Sequence, residues 1–417
     1  MNILDYRQYS QNGKDWTVAF EKAVEDLRPA GGILTVPAGE YPTGSIRLYS
    51  HITLEVQKDA VLLFLQDENA YPLQMLEFEG IPGEIYRPCV FAQDAEYVKV
   101  TGEGTLNGQG EYWWHKHLSK QLAHPRPYLV CFADCRHVTL ENVTLTNSPV
   151  WTVHPLRCED MEIRGLKIKN PAVSPNTDGI DPNCSRDVHI HDCVIDVGDD
   201  CISIKSGTED TVNRRPSENI LIENCHFVHG HGGVVMGSEM SGDIRDIHVR
   251  NCEFYETDRG VRLKTRRGRG GTVENISFTN LNMEKVMCAF VFNMYYYCGK
   301  GGKEKYVWDK AAYPVDERTP QLKNVVISDV ICRKCTSCAG FFWGLSEMPV
   351  EGVIMKNVTV EMDEQGADGT PAMMNDCPVM NRNGFFLRNA IGVDLSGVRV
   401  EGVQGELLNV DESVKLL

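Results

Sequence analysis

At 417 residues the chain is longer than one hydrophobic core usually serves, so it holds either several domains or one elongated repeat architecture. With 42% hydrophobic and 24% charged residues and no low-complexity stretch, it is a folding sequence rather than a disordered one. Lys+Arg at 42 against Asp+Glu at 58 gives a net charge of −16, which excludes a general binder of nucleic acid or of anionic membranes, since both need a basic field. The longest apolar run, from Ala60 to Leu65, is far too short to span a bilayer, and the first ten residues lack the apolar stretch of a secretory signal. Fifteen cysteines, an odd number, read as reduced thiols rather than a disulfide framework. Together these features predict a cytoplasmic protein.

In chain order, residues 15–28 come first, with Phe20, Ala23, Val24 and Leu27 at helical spacing; this predicts an amphipathic helix closing the end of whatever follows. From Val138 onward a unit recurs: two short apolar-x-apolar stretches joined at a turn residue. It reads Val138-Thr-Leu-Glu-Asn142-Val-Thr-Leu145 and begins again at Met161, Val188, Ile220, Ile247, Ile276, Val325, Val353 and Val393. The spacings of 23, 27, 32, 27, 29, 49, 28 and 40 residues describe a coil of constant core with insertions of variable length. The fifth position is Asn142, Gly165, Asp192, Asn224, Asn251, Asn280, Asp329, Asn357 and Gly397, always a residue that tolerates a left-handed backbone.

Strands this short cannot bury their inner faces as separate hairpins, whereas stacked coils pair each strand with its equivalents above and below. The predicted fold is all-β: a single-stranded right-handed parallel β-helix with a short N-terminal capping helix. It is read as one domain over 1–417, with cap and first coils in 1–60, main coils in 98–400, and insertions at about 65–97 and 298–321. Cys193, Cys225 and Cys252 fall on one inner column and read as packing thiols. His189 and His191, beside Cys193, lack a second ligand pair at zinc spacing, so no metal site is expected.

The strand after each corner aligns through Ile180, Ile202, Val234 and Val261. Asp178 and Asp200 then share a column, and Asp199 and His231 share the adjacent one. Ser203, Lys205, Arg262 and Lys264 alternate with apolar residues and so point outward. Three carboxylates, an imidazole and several cations on one face suit inverting glycoside hydrolysis, in which one carboxylic acid protonates the leaving oxygen while another carboxylate activates water. Crowded carboxylates push one proton affinity up while nearby cations hold others ionised. The cations also suit an acidic sugar.

Asn176-Thr-Asp-Gly179, Gly198-Asp-Asp-Cys201, Gly230-His-Gly232 and Arg262-Leu-Lys264 stand in the order and rough spacing of the four signatures of glycoside hydrolase family 28, the polygalacturonases. The resemblance spans nearly the whole chain, including Ala30 to Tyr41, Gly102 to Gly110 before Trp113-Trp114, and Asn147-Ser-Pro-Val-Trp151. It implies Asp199 as general acid, Asp178 with Asp200 as the pair activating water, and His231 as a support near the acid. It implies Arg262 and Lys264 as binders of the substrate carboxylate; Lys205 and Asn176 are counted with the substrate-binding set. For the family's downstream tyrosine, Tyr295, Tyr296 and Tyr297 compete, and Tyr295 is favoured.

Within that family the two insertions resemble those of bacterial exo-acting members, which close one end of the groove. The expected activity is therefore release of galacturonate from the non-reducing end of α-1,4-linked pectic oligosaccharides, without cofactor, metal, nucleic acid or membrane partner. The alternatives are a rhamnogalacturonan or xylogalacturonan hydrolase, a calcium-dependent pectate lyase, or a non-catalytic carbohydrate-binding β-helix. The sequence leaves the oligomeric state open.

Overall fold

A computed structural model describes residues 1–417. The fold is a right-handed parallel β-helix, and its coils form two compact units, Met1–Asp199 and Asp200–Leu417.

In the first unit each full coil supplies three short strands. Gly32–Val36, Ile52–Val56, Lys99–Gly102, Arg136–Glu141, Glu159–Arg164 and Arg186–His191 pair in parallel, each on the next. Gly39–Thr43, Ala60–Phe64, Thr105–Asn107, Thr144–Thr146, Lys167–Lys169 and Val194–Val197 form a second ladder. Ile46–Leu48, Val90–Gln93, Val130–Ala133 and Val153–Leu156 form the third. The helix Thr17–Leu27 buries Phe20, Ala23, Val24 and Leu27, the predicted face. Its first turn is held by Asp15, whose Oδ1 accepts from the Thr17 amide at 2.8 Å.

The segment 65–97 is only partly an insertion. Leu73–Phe78 and Ile81–Tyr86 form an antiparallel hairpin whose Leu76 and Ile85 pack into a cluster with Phe91, Tyr128 and Trp151. Val90–Gln93, by contrast, is a strand of the stack, because its apolar run is buried between the coils on either side.

In the second unit, long strands replace the first two short ones. Ser217–Glu223 and His226–His229 lie on Ile244–Tyr255, followed by Thr272–Glu284, Gln321–Cys335 and Val350–Met362. The other ladder runs Asp200–Ile204, Gly232–Met236, Arg259–Lys264, Cys288–Asn293, Cys338–Trp343 and Asn383–Arg388.

The registers follow the repeat read from the sequence. Val138 pairs Met161 and Met161 pairs Val188; Ile220, Ile247, Ile276, Val325, Val353 and Val393 pair in succession. Each fully buried aliphatic rung contributes about 1.5–3 kcal/mol relative to exposure. At the corners Asn142, Gly165, Asp192, Asn224, Asn251, Asn280, Asp329 and Asn357 have φ between 52° and 63°. The amide of Asn280 donates to Asn251 Oδ1 at 2.8 Å, and that of Asn357 to Asp329 Oδ1 at 2.7 Å, so the corners also bond along the stack. Gly397 departs from the pattern: there the corner is a tight turn in which the Val398 amide donates to the Leu395 carbonyl, and no left-handed residue is needed. The predicted cysteine column is buried; Cys193, Cys225 and Cys252 each direct Sγ at the carbonyl two residues back, at 3.2–3.3 Å.

Candidate active site

The first unit supplies the Asn176–Gly179 turn and Asp199. The turn is stacked on the preceding coil: the Thr152 amide donates to the Asp178 carbonyl at 2.9 Å, and Val153 bridges Ile180. Asp178 is buried at 4% exposure. The turn is pinned by Arg126, itself buried, whose guanidinium donates to the carbonyls of Pro149 and Pro175 at 3.0 and 2.8 Å and to Asn176 Oδ1 at 2.8 Å. Burial lowers the Arg126 guanidinium to about 10, with Glu79 and Asp178 opposing that shift. Asn176, counted with the substrate-binding residues, accepts a hydrogen bond from Arg126 Nη2 at its Oδ1 and so shapes the turn within this unit. Asp199 is half-buried at the end of the unit. Gly198 before it must be glycine, because a Cβ there would lie 2.5 Å from the Ser174 carbonyl oxygen and 2.7 Å from that of Pro171.

In the second unit the registers Asp200 on Gly232, Ile202 on Val234 and Val234 on Val261 match the predicted columns. Asp200 is fully buried and meets two cations: Lys264 Nζ donates to its Oδ2 at 2.6 Å and Arg262 Nη1 to its Oδ1 at 3.1 Å. Burial alone would push this carboxyl up. Lys264 and Arg262, joined by Lys205, outweigh it and hold Asp200 well below the usual carboxylate range. Lys205 is buried too and donates to Ser203 Oγ at 3.0 Å. Gly232 keeps space beside the carboxylate, since a Cβ there would stand 3.1 Å from Asp200 Oδ1 and 3.4 Å from Arg262 Cδ. His231, immediately before it, is exposed.

Arg262 and Lys264 point outward from the coil, yet they are only 2% and 7% exposed. They are covered partly by residues 363–382, the loop between Val350–Met362 and Asn383–Arg388, which sequence reading passed over. Arg262 Nη2 lies 3.3 Å from Met373 Sδ, and the Tyr297 amide donates to the Met373 carbonyl. Arg259, also buried, holds the loop by donating to the carbonyls of Pro371 and Thr370 at 2.8 and 3.0 Å.

Of the candidate tyrosines, Tyr295 and Tyr296 stand in different surroundings. Tyr295 is fully buried away from Arg262 and Lys264, its ring beneath Lys310 Nζ at 3.7 Å and beside Arg267. Tyr296 is the ring against the two cations, 5.7 Å from the Arg262 guanidinium and 5.1 Å from Lys264 Nζ. The strand Cys288–Asn293 has ended by then, and the antiparallel bridge between Arg266 and Tyr295 turns Tyr295 toward the insertion. The Thr265-Arg-Arg-Gly-Arg269 run also serves the insertion 298–321. Arg267 donates to the carbonyls of Tyr306, Asp309 and Ala311 and pairs with Glu347, while Arg266 donates to the Lys300 carbonyl.

The family model described as Glycosyl hydrolases family 28 matches residues 33–377. A probable polygalacturonase of Vitis vinifera is 33% identical over 359 residues, covering 83% of this chain and 71% of that protein. Two other plant polygalacturonases, of Arabidopsis thaliana and Chamaecyparis obtusa, are spanned over 56% and 54% of their length. Among solved structures, the exopolygalacturonase of Thermotoga maritima is 28% identical with a TM-score of 0.77, covering 98% of this chain and 91% of that one. The family 28 exopolygalacturonase of Yersinia enterocolitica shares the fold, with a TM-score of 0.81 at 20% identity, 99% of this chain and 78% of that one being covered.

Proposed function

The chain belongs to glycosyl hydrolases family 28 and is a glycosidase of the polygalacturonase type, and within that class we propose an inverting exo-α-1,4-galacturonidase. Its substrate is a pectic oligosaccharide, from whose non-reducing end it releases galacturonate. Two features support the exo reading. The similar Thermotoga maritima structure is an exopolygalacturonase. In addition, the insertion 298–321 and the loop 363–382 are both tied by buried arginines rather than left loose.

The observation that carries the mechanism is Asp200, an acid kept ionised by Lys264 and Arg262. A carboxylate so held cannot donate the proton that the leaving oxygen needs; it can accept one from water. In this reading Asp199 protonates the glycosidic oxygen as the bond from the anomeric carbon to it breaks. Asp200 with Asp178 takes a proton from the water whose oxygen bonds to the opposite face of that carbon, giving the inverted sugar. His231 supports the acid, while Lys264 and Arg262 serve two ends, fixing Asp200 and presenting positive charge to a uronate carboxylate. The cytoplasmic location is proposed from the odd cysteine count, and fractionation of the native host tests it.

The test is product analysis on galacturonate, rhamnogalacturonan and xylogalacturonan oligomers. Monomeric galacturonate from a trimer is expected, and Asp199→Asn should lower turnover by about 10²–10⁴-fold with the fold intact. A ladder of mid-chain products from polymer overturns the exo reading. An ultraviolet-absorbing unsaturated product indicates a lyase instead, and near-normal turnover of Asp199→Asn removes that residue from the acid role.

A further inference from the structure

The outer face of the first unit carries a second cluster of chemistry-bearing side chains, on a ladder that holds none of the proposed catalytic residues. The strands Glu159–Arg164 and Arg186–His191 pair in parallel, with Glu162 opposite His189 and Arg164 opposite His191. His189 and His191 lie two apart and project on the same side, while Ile190 between them is buried inside. Their rings stack with centroids 4.2 Å apart. Both converge on one carboxylate: His191 Nε2 lies 2.6 Å from Glu162 Oε1, and His189 Nδ1 lies 3.5 Å from Glu162 Oε2. The three donor atoms are all within 4.8 Å of one another, and all three residues are partly exposed.

The remaining nitrogen of His191 is also held. Its Nδ1 lies 2.6 Å from Oδ2 of Asp192, the corner residue whose left-handed backbone, φ 54°, brings its side chain alongside. A carboxylate on the far nitrogen is also the arrangement that orients metal-ligating histidines, holding a proton on Nδ1. Nε2 faces a carboxylate oxygen at 2.6 Å, a contact that a proton on Nε2, or a metal ion in that proton's place, satisfies.

We propose that Glu162, His189 and His191 bind a divalent transition-metal ion of the zinc, cobalt or nickel type, with Asp192 orienting His191. Two imidazoles and one carboxylate are the donor set such borderline ions take, whereas calcium and magnesium prefer oxygen alone. Ion–donor distances near 2.0–2.2 Å at tetrahedral angles set neighbouring donors about 3.4 Å apart, so His191 Nε2 and Glu162 Oε1 would open from 2.6 Å while the 3.5 Å from His189 Nδ1 to Glu162 Oε2 already fits, and the exposed side leaves a fourth position to water. The sequence offered His189 and His191 but no further ligand, because Glu162 is 27 residues from His189 in the chain and meets it only through the coil register. The ion would bridge two successive coils and so stabilise the folded state, which alone brings the ligands together.

The experiment is zinc titration of the chelator-stripped full chain by calorimetry, with cobalt absorption as a second probe and thermal melting as the third. One equivalent is expected, with a tetrahedral cobalt spectrum and a rise in Tm on zinc addition. The His189→Ala/His191→Ala double variant should lose the equivalent and the Tm rise. Glu162→Gln should weaken binding strongly, and Asp192→Asn, which keeps the left-handed corner, should weaken it by about 10–100-fold. Should the double variant not fold, Glu162→Gln alone decides by the same readouts. Turnover on pectic oligosaccharides is unchanged by zinc or chelator. No binding at millimolar zinc, or an equivalent that persists undiminished in these variants, overturns the proposal.

Discussion

The central electrostatic claim, that Lys264 keeps Asp200 ionised, is open to a direct test by Lys264→Met, which preserves side-chain length and removes the charge. The contact is 2.6 Å long, with the side chains 8% and 1% exposed. Two unit charges at that distance attract by about 6 kcal/mol at an effective dielectric near 20. Relief of the lysine's own desolvation offsets part of this, and removing one partner of a buried pair typically costs about 3–5 kcal/mol. Arg262 remains 3.1 Å from the carboxylate in the variant, which favours the lower end, about 3 kcal/mol, equivalent to roughly 2 pH units in the Asp200 proton affinity. The folded carboxyl is depressed, so its stabilising contribution is complete above the ordinary carboxylate range and is lost as pH falls toward the folded value. In the variant the folded value lies higher, and protonation of the native form begins sooner. Urea unfolding followed by tryptophan fluorescence should therefore show a gap of about 3 kcal/mol between wild type and variant at pH 7, narrowing as pH drops below about 4. A gap under about 1 kcal/mol at pH 7, the range of an exposed pair, would refute the claim, as would a gap that stays constant through acid.

Three further outcomes follow from particular contacts. Arg126→Met removes the donors that pin the Asn176–Gly179 turn and should lower kcat about 10²-fold with KM little changed, as expected when a catalytic carboxylate is misplaced by about 1 Å; steady-state kinetics on a trimer check it. Asn251→Ala places a Cβ-branching-free but left-handed-averse residue at φ 56° and breaks the Asn280 side-chain bond, costing about 2 kcal/mol in urea unfolding, whereas Asn251→Gly should recover most of the backbone share. Tyr296→Leu strips an aromatic face from Arg262 and Lys264 and should weaken substrate binding by about tenfold, a loss near 1–2 kcal/mol visible in KM, while activity equal to wild type would remove Tyr296 from the site.

The coil registers were legible because both of their signals are local. A period-2 apolar stretch says which side chains face inward, and a Gly, Asn or Asp at the corner says where the chain turns, so stacking equivalents on equivalents reproduced the pairings from Val138 to Val393. The same logic placed Asp200 beside the Arg262–Lys264 column. Its limit shows at the cations. Alternation separates the inside of a coil from its outside, but the outside of one coil is solvent only where no loop lies over it. Arg262 was read as outward and is outward, yet Met373, 111 residues away, sits against it. Nothing in the composition of residues 363–382 distinguishes a covering loop from a loose one; the distinction is made by Arg259, whose donors are satisfied by the carbonyls of Pro371 and Thr370. Arg126 escaped notice for the same reason, since its hydrogen bonds go to the carbonyl-type oxygens of Pro149, Pro175 and Asn176, which no charge pattern in the sequence marks. What the repeat could not encode is therefore the set of contacts made outside the repeat, and in this protein buried arginines make them.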